Sequence, residues 1–448
     1  MAVAALVVVV VAGAGAAKAE PLPKATQTML DSLKLGPEFA VGIEREARMP
    51  AAWIAGAKRE KYTRILGTWD ANQFKRMTAP FRERFPFIEL RYSRAGNADR
   101  TIKTLMALKA GRVIADVLVS LGNSWFHFKA MDAIADLRDL PNFKNLPKGM
   151  ADPDGGWVGA KISFRCIAYN TKLVAKGDLP KTWDDLLTNP RWRGGKLGIP
   201  NRPNNWVLNL WGAKGEAWAT NFMTKLFTEL KPQLRKEGLN ASLGLAIAGE
   251  FHAVIPASSN RARQYLKRGA PVGWHCPDPV PISISQMAML KASPRPNATK
   301  VFLNWFLSRE AQMAQYEANF APPVHKDLQR VEFRNFAQET IGKTMAFRHP
   351  GLLVEVSPKM LRVWNRLWQR STGIRYTTVK ARILKVRRRG RKFDFKVGND
   401  THTVRISGRR TEIYIKGERN LRSAVKAGMD CEITYPGNGE EAKKVACR

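Results

Sequence analysis

Two periodicities alternate along this chain, and their order predicts its architecture. The run TRILGTW, 63–69, has the β-branched and apolar content of a strand. It is followed by 72–85, where Phe74, Met77, Phe81 and Phe85 recur at intervals of three or four, the spacing that gathers side chains on one face of a helix. Pro80 falls inside that run and, having no N–H, predicts a kink. A strand over 89–92, a helix over 99–110 and the apolar run ADVLVSL, 115–121, continue the alternation, which predicts an α/β unit with a mainly parallel sheet.

A second unit of the same kind spans 162–281, with strands at 163–169, 196–199, 252–255 and 272–275 and helices from Trp206 and over 260–268. The chain then returns through Ser283–Lys291 into an amphipathic segment, Ala298–Tyr316, read as one helix. Leaving a unit and coming back to it requires two crossings. The expectation is therefore an α/β fold of two hinged lobes, 62–161 with 282–372 forming the first and 162–281 the second. Residues 20–61 carry helical stretches around 26–33 and 37–47 and form an N-terminal extension. After Gly373 the pattern turns to short strands at 378–386, 392–397, 401–406, 412–415 and 431–435, a small all-β, OB-like barrel over 373–448.

Mid-chain, within the second unit, lies TWDDLLTNPRWRGGKLGIP, Thr182–Pro200. Thr182 suits an N-cap, and Asp184 and Asp185 fall in the first turn, where carboxylates face the positive end of a helix. Asn189-Pro190 ends that helix and Gly194-Gly195 releases the chain into a strand.

Composition refines this picture. The 448 residues are 44% hydrophobic, enough for two or three cored domains. Residues Ala2–Ala12 are almost all Ala, Val and Leu, and Ala17-Lys18-Ala19 fits a small-residue cleavage site, so 1–19 reads as a secretion signal and the mature chain as beginning at Glu20. No Lys or Arg precedes the apolar run, a departure from the usual signal. The net charge is +36, and 373–448 alone hold 20 Lys and Arg against 8 Asp and Glu. Such an excess welcomes anionic partners, but the basic residues are spread along the whole length, so no nucleic-acid partner is expected. Phe393, Phe395 and Tyr414 are the only candidates for a base-stacking surface on the β module.

Four cysteines lack C-x-x-C spacing, which argues against a zinc or thioredoxin-like centre. Cys431 and Cys447 flank a terminal hairpin and are expected to pair; Cys166 and Cys276 either pair or stay as free buried thiols. There is no G-x-S-x-G elbow, H-E-x-x-H or Walker loop, and the six His never approach metal-ligand spacing. No enzyme activity and no cofactor are implied. His252 and His275 read as structural.

The segments LGTWDANQFKRMTAPFRERFP, ADVLVSLGNS, IAYNTKLV, LPKTWDDLLTNPRWRGGKLGIPN, AGEFHAVIPASSNRARQYLKRGAPV and PISISQMAMLKASPRPNATKVFLNWFLS occur in that order between Tyr62 and Leu367. In content and spacing they resemble type II periplasmic solute-binding proteins of ABC importers, nearest the subgroup that binds ferric iron, thiamine, polyamines and phosphonates. The resemblance implies a monomeric periplasmic receptor that closes on a small solute and passes it to a permease of the inner membrane.

Ligands of open α/β sheets sit beyond the carboxyl ends of strands. Here those turns carry Thr68 and Trp69, Asn123 and Ser124, Asn201 and Arg202, and Ser258, Ser259, Asn260 and Arg261; Arg165 and Ser285 lie on the strands beside them. Free helix N–H groups and guanidinium forks suit an anion. Iron-binding relatives generally carry adjacent tyrosines where this chain has Ser258-Ser259-Asn260, which argues against direct ferric binding. A polyamine would want clustered carboxylates, and the turns offer Asp70 beside Trp69 and Trp125. An anionic or zwitterionic solute is the better match. The competing reading is a basic secreted protein that holds polyanions, nucleic acid or an anionic surface through its C-terminal β module.

Overall fold

The computed structural model describes residues 22–348, 351–408 and 410–448; the expected secretion signal over 1–19 lies outside them. Helices α1 (Lys24–Leu33), α2 (Ile43–Ala47) and α3 (Ala51–Glu60) precede β1 (Tyr62–Gly67), α4 (Ala71–Met77), α5 (Ala79–Arg84), β2 (Glu89–Arg94), α6 (Thr104–Lys109), β3 (Val117–Val119) and α7 (Trp125–Ala130). The kink expected at Pro80 is a full break: Pro80 opens α5, and the Thr78 hydroxyl donates to the Phe74 carbonyl at 2.6 Å to close α4.

The chain continues through β4 (Val158–Asn170), α8 (Trp183–Thr188), β5 (Leu197–Pro200), α9 (Val207–Lys214), α10 (Glu216–Lys225), β6 (Gln233–Arg235), α11 (Leu239–Ala248), β7 (Ala253–Ser258), α12 (Ser259–Leu266), β8 (Val272–His275) and β9 (Val280–Met289). After these come α13 (Pro296–Phe306), α14 (Arg309–Asn319), β10 (Met345–Phe347) and α15 (Ser357–Thr372). Thr182 caps α8 as its sequence predicts: Asp185 N–H donates to the Thr182 hydroxyl at 3.1 Å, and Thr182 N–H to the Asp185 carboxylate at 2.7 Å.

One mixed sheet runs through both halves in the order β2-β1-β3-β9-β4-β7-β5-β6. In the first half β1 pairs in parallel with β2 and β3. In the second, β5 pairs in parallel with β6 and β7. The halves are joined by two strands lying side by side. Antiparallel β4 and β9 match Val158 with Met287 through to Phe164 with Ile282. The far end of β9 joins β3, whereas the far end of β4, from Arg165, joins β7 and β8.

Two expectations need correction. The segment 298–316 is two helices, because the Ser308 hydroxyl accepts from Ala311 N–H at 3.3 Å and starts α14 afresh. Residues 345–372, assigned to the first lobe, pack on the second half. There β10 pairs with the start of β9, and α15 buries Met360, Trp364 and Leu367, a one-face spacing of four and three. The Trp364 ring lies 4.9 Å from Phe227 and 6.4 Å from Trp206.

The N-terminal helices belong to the first half. Helix α1 packs on α5 and α14, and α3 on α13. Together with α5 they help surround the fully buried Glu310, which accepts from Arg84 Nε at 2.8 Å, from Trp305 Nε1 at 2.8 Å, and from the Thr26 hydroxyl. Among the described residues no helix is long and apolar enough to cross a membrane.

Beyond Gly373 lie β11 (Thr377–Arg387), β12 (Lys392–Val397), β13 (Asp400–Arg405), β14 (Glu412–Ile415), β15 (Glu418–Arg419), β16 (Asp430–Tyr435) and β17 (Lys444–Cys447), in the sheet order β13-β12-β11-β16-β17-β14-β15. Arg405 N–H donates to Glu440 O at 2.8 Å, and Ala442 N–H to Arg405 O at 2.9 Å. The sheet thus curls until β13 meets the segment feeding β17, as an all-β barrel requires. Phe393 and Phe395 are fully buried inside it, which removes two of the three candidate stacking residues from its surface.

Cys431 and Cys447 face one another across β16 and β17 and are bonded. Cys166 and Cys276, left open by their spacing, are bonded as well. The Cys431–Cys447 link closes a separation of 16 residues, worth about 3 kcal/mol in the chain-entropy account. Replacing both cysteines with alanine in the full chain is therefore expected to lower the unfolding free energy of the β module by that order and its denaturant midpoint with it, read from hydrogen exchange of the β16 and β17 amides. An unchanged midpoint would refute a stabilising role for the link.

Candidate functional site

Between two register shifts, at Gly159/Lys161 and Cys166/Ala168, β4 alternates its side chains between two faces. Ile162 and Phe164 enter the core, and Lys161, Ser163 and Arg165 face the opposite way. Register extends this polar row across the sheet: Lys161 lies opposite Ser285, Ser163 opposite Ser283, and Arg165 opposite Ser258. Six polar residues therefore share one face of the strands that join the halves. Ser283 Oγ and Arg165 Nε are buried there without a hydrogen-bond partner. Buried polar groups are nearly always paired, and these two leave hydrogen-bonding capacity on this face.

The charges around this row are almost all positive. Lys161 Nζ sits over the Trp69 ring, 5.7 Å from its centroid. Burial, reinforced by Arg165, Arg261 and Arg100, pulls its ammonium down to about 8. Burial and then Arg348 pull Arg165 to about 10. Both side chains are part-buried on this face. Desolvation disfavours the charged form, and like charges add to the effect.

Each neighbouring cation is held by the fold. Arg100 donates to the carbonyls of Val119 and Ser120 at 2.8 and 3.1 Å, and burial lowers it to about 10. Arg348 donates to Asn204 O at 3.0 Å, and its own burial lowers it too. Arg261, in the first turn of α12, donates to Gln264 Oε1 at 2.7 Å and stands 3.7 Å from Asp70. Asp70 is already engaged by Arg94 at 2.6 Å, so it offsets little of the crevice charge. The Asp70–Arg261 pair and Gln73–Gln264, at 3.5 Å, connect α4 of the first half to α12 of the second and mark the rim.

The residues expected from sequence divide into groups. Arg165, Ser258 and Ser285 stand in the polar row, and Arg261 adjoins it. Thr68 Oγ1, Ser259 Oγ and Asn260 Oδ1 are buried without partners at the carboxyl ends of β1 and β7. Trp69 is a core side chain instead: it is buried and donates to Gln315 Oε1 at 3.2 Å, leaving only its ring face toward Lys161. Asn201 is also structural, because its side chain accepts from Trp364 Nε1 at 2.9 Å and anchors α15. Arg202 donates to Asn201 O at 2.7 Å in the same loop. Ser124 closes a turn, Gly122–Ser124, tied to β9 by Gly122 N–H donating to Gln286 Oε1 at 3.1 Å. The Asn123 side chain lies outside the described set.

Lys161, Ser163, Ser283, Arg100 and Arg348 were not anticipated. A signal existed for the first three: KISFR and SISQ alternate polar and apolar residues strand-wise within otherwise buried segments.

Metal binding finds little support. Among the described residues one group, Glu46, His325 and Asp327, gathers ligand-type atoms. Arg309 already occupies it, at 2.9 Å from Glu46 and 2.7 Å from Asp327. His275 is structural, its ring nitrogens meeting Glu339 at 2.6 Å and Pro180 O at 2.6 Å.

Residues 76–334, more than half of the chain, match the profile of the family described as bacterial extracellular solute-binding protein. Iron-bound HitA from Pseudomonas aeruginosa has a similar fold, with a TM-score of 0.56 and 20% identity over 68% of this chain and 99% of that one. An ABC transporter substrate-binding protein from Bradyrhizobium japonicum gives a TM-score of 0.57 at 16% identity, covering 69% of this chain and 99% of that one. Iron uptake protein A1 of Synechocystis is 25% identical over 196 residues, 40% of this chain and 53% of that protein. The chain thus spans about half the length of this curated relative.

The enclosure of Lys161 has a measurable cost. Its folded value, about 8, lies below the ordinary 10.5, so between those values the unfolded chain holds a proton that the folded chain releases, and stability rises with pH. The penalty is fully present below about pH 8 and disappears above 10.5. In the unliganded protein Lys161→Met is expected to raise the thermal midpoint at pH 7, with the advantage shrinking toward pH 10.5. Equal midpoints at pH 7 would contradict an enclosed, uncompensated ammonium.

Proposed function

We propose, from the premise that the chain belongs to the bacterial extracellular solute-binding proteins, that it captures a small anionic solute over β4 and β9 and delivers it to the permease of an ABC importer. The observation that carries this reading is the row Lys161–Ser163–Arg165, set opposite Ser285, Ser283 and Ser258, with Arg165 Nε and Ser283 Oγ unpartnered. Cations held out of water cost free energy unless compensated, and an anion entering the crevice supplies that compensation. Serine hydroxyls and the freed guanidinium edge would fix its orientation.

Some of the similar proteins carry iron in their names. This chain presents ammonium and guanidinium groups at the crevice, with Ser258, Ser259 and Asn260 at the start of α12. That is a poor setting for a bare metal cation. Tyr92 donates to Trp69 O at 2.7 Å, and burial raises its pKa, so it is not poised as a phenolate ligand.

In this reading 62–161 and 282 to about 344 form one lobe, and 162–281 with 345–372 the other. They hinge about β4 and β9, and the protein acts as an extracytoplasmic monomer behind a cleaved leader. The polyanion reading of the β module loses weight with Phe393 and Phe395 in its core and Lys444 lying over Tyr414, 5.5 Å from the ring.

Thermal-shift measurements at constant ionic strength test the sign of the solute. Small anions are expected to raise the midpoint, and Arg165→Gln is expected to lower affinity at least tenfold while leaving the fold intact. A midpoint raised by ferric ion or a polyamine, with no anion active, would overturn the proposal.

A further inference from the structure

Besides the paired strands β4 and β9, the halves meet through side chains of three helices. Helix α12 packs on β4, β7 and β8 in the second half, whereas α4 and α14 pack on one another in the first. Gln264, buried on α12, reaches both of these helices. Its Nε2 donates to Asn319 O at 2.8 Å, and its Oε1 accepts from Gln73 Nε2 at 3.5 Å. Gln73 Oε1 in turn accepts from Asp70 N–H at 3.3 Å. The series starts at a main-chain donor and ends at a main-chain acceptor, which fixes the orientation of both amides. Asn319 ends α14 and Phe320 after it is left-handed, at φ 56°, so Asn319 O has no partner within its own helix. Asn260 Nδ2 supplies it with a second donor from α12, at 3.4 Å.

The same Gln264 Oε1 accepts from Arg261 at 2.7 Å, the guanidinium that adjoins the polar row. One amide thus holds a cation of the crevice and grips the opposite half. Resting on the reading of two hinged lobes, we infer that Gln264 is an interlobe latch, donating to Asn319 O to hold the halves closed and positioning Arg261 in that closed arrangement. Every partner in the series is a protein group, so latching needs no solute. Each bond is exchanged for one to water when the halves part, which keeps the latch reversible.

Two substitutions separate the roles of the amide. Gln264→Glu has nearly the same shape and keeps an acceptor for Arg261, but at neutral pH it sets an anionic oxygen against Asn319 O. Gln264→Met removes donor and acceptor together. In small-angle scattering from the full chain at neutral pH, without added solute, both variants are expected to show a larger radius of gyration than the wild type. Hydrogen exchange of the β4 and β9 amides is expected to stay unchanged, as opening about a hinge requires.

Equal radii in all three proteins would overturn the latch and leave the two-lobe reading standing. Expansion confined to one variant would do the same, because both lack the donor. Loss of a cooperative thermal transition in either would mark Gln264 as core packing and likewise overturn the latch. Expansion accompanied by exposed β4 and β9 amides would bring down the hinge and the latch together.

Discussion

The pairing of β4 with β9 is the constraint on which the rest of the molecule depends. Each strand belongs to both halves, and each supplies the other's main-chain partners from Val158–Met287 to Phe164–Ile282. Their register decides which side chains face the crevice and which face the core. The second half braces the start of β9 from several directions. Asn209 Nδ2 donates to Ile282 O at 2.6 Å and Ala346 O at 2.8 Å, and the Trp183 indole donates to Pro279 O at 2.9 Å. The Cys166–Cys276 bond ties the segment before β9 to β4 just past the crossing.

Charge distribution supports division of labour between the halves and the seam. Two buried carboxylates within the first half are closely matched. Asp116 accepts from Arg295 at 2.9 and 3.0 Å, from the Ser293 hydroxyl at 2.6 Å and from Arg64 N–H at 2.6 Å. Glu310 is similarly surrounded. The seam has the reverse character, with cations placed and their counter-charges absent. The seam thus carries an electrostatic cost, in Lys161 and Arg165, that the buried ion pairs of the first half do not.

Much of this was legible in sequence, and what was not had physical reasons. The alternation of strands and helices, the Thr182 cap, the β module and the Cys431–Cys447 pair rest on local rules of period, capping and cross-strand adjacency, and these rules were obeyed. The partner of α15 was not legible, because an amphipathic face says only that it must be covered; Trp206 and Phe227, which cover it, are more than a hundred residues away. Trp69 and Asn201 sit on turns of the expected kind, but long-range partners, Gln315 and Trp364, took their polar atoms. Lys161 was missed because a lysine inside a buried strand contradicts the usual ranking of burial, and that contradiction was itself the signal.

The two-residue repeat of β4 also sets rules for how such a receptor can diversify. Odd positions 161, 163 and 165 lie on the polar face, and even positions 162 and 164 address the core. A single inserted or deleted codon within this stretch would exchange the two sets, turning isoleucine and phenylalanine toward water and lysine and arginine toward the interior. Exchanges of side chains at alternate sites can therefore alter the polar face without disturbing the core, whereas a change of length inside the stretch alters both.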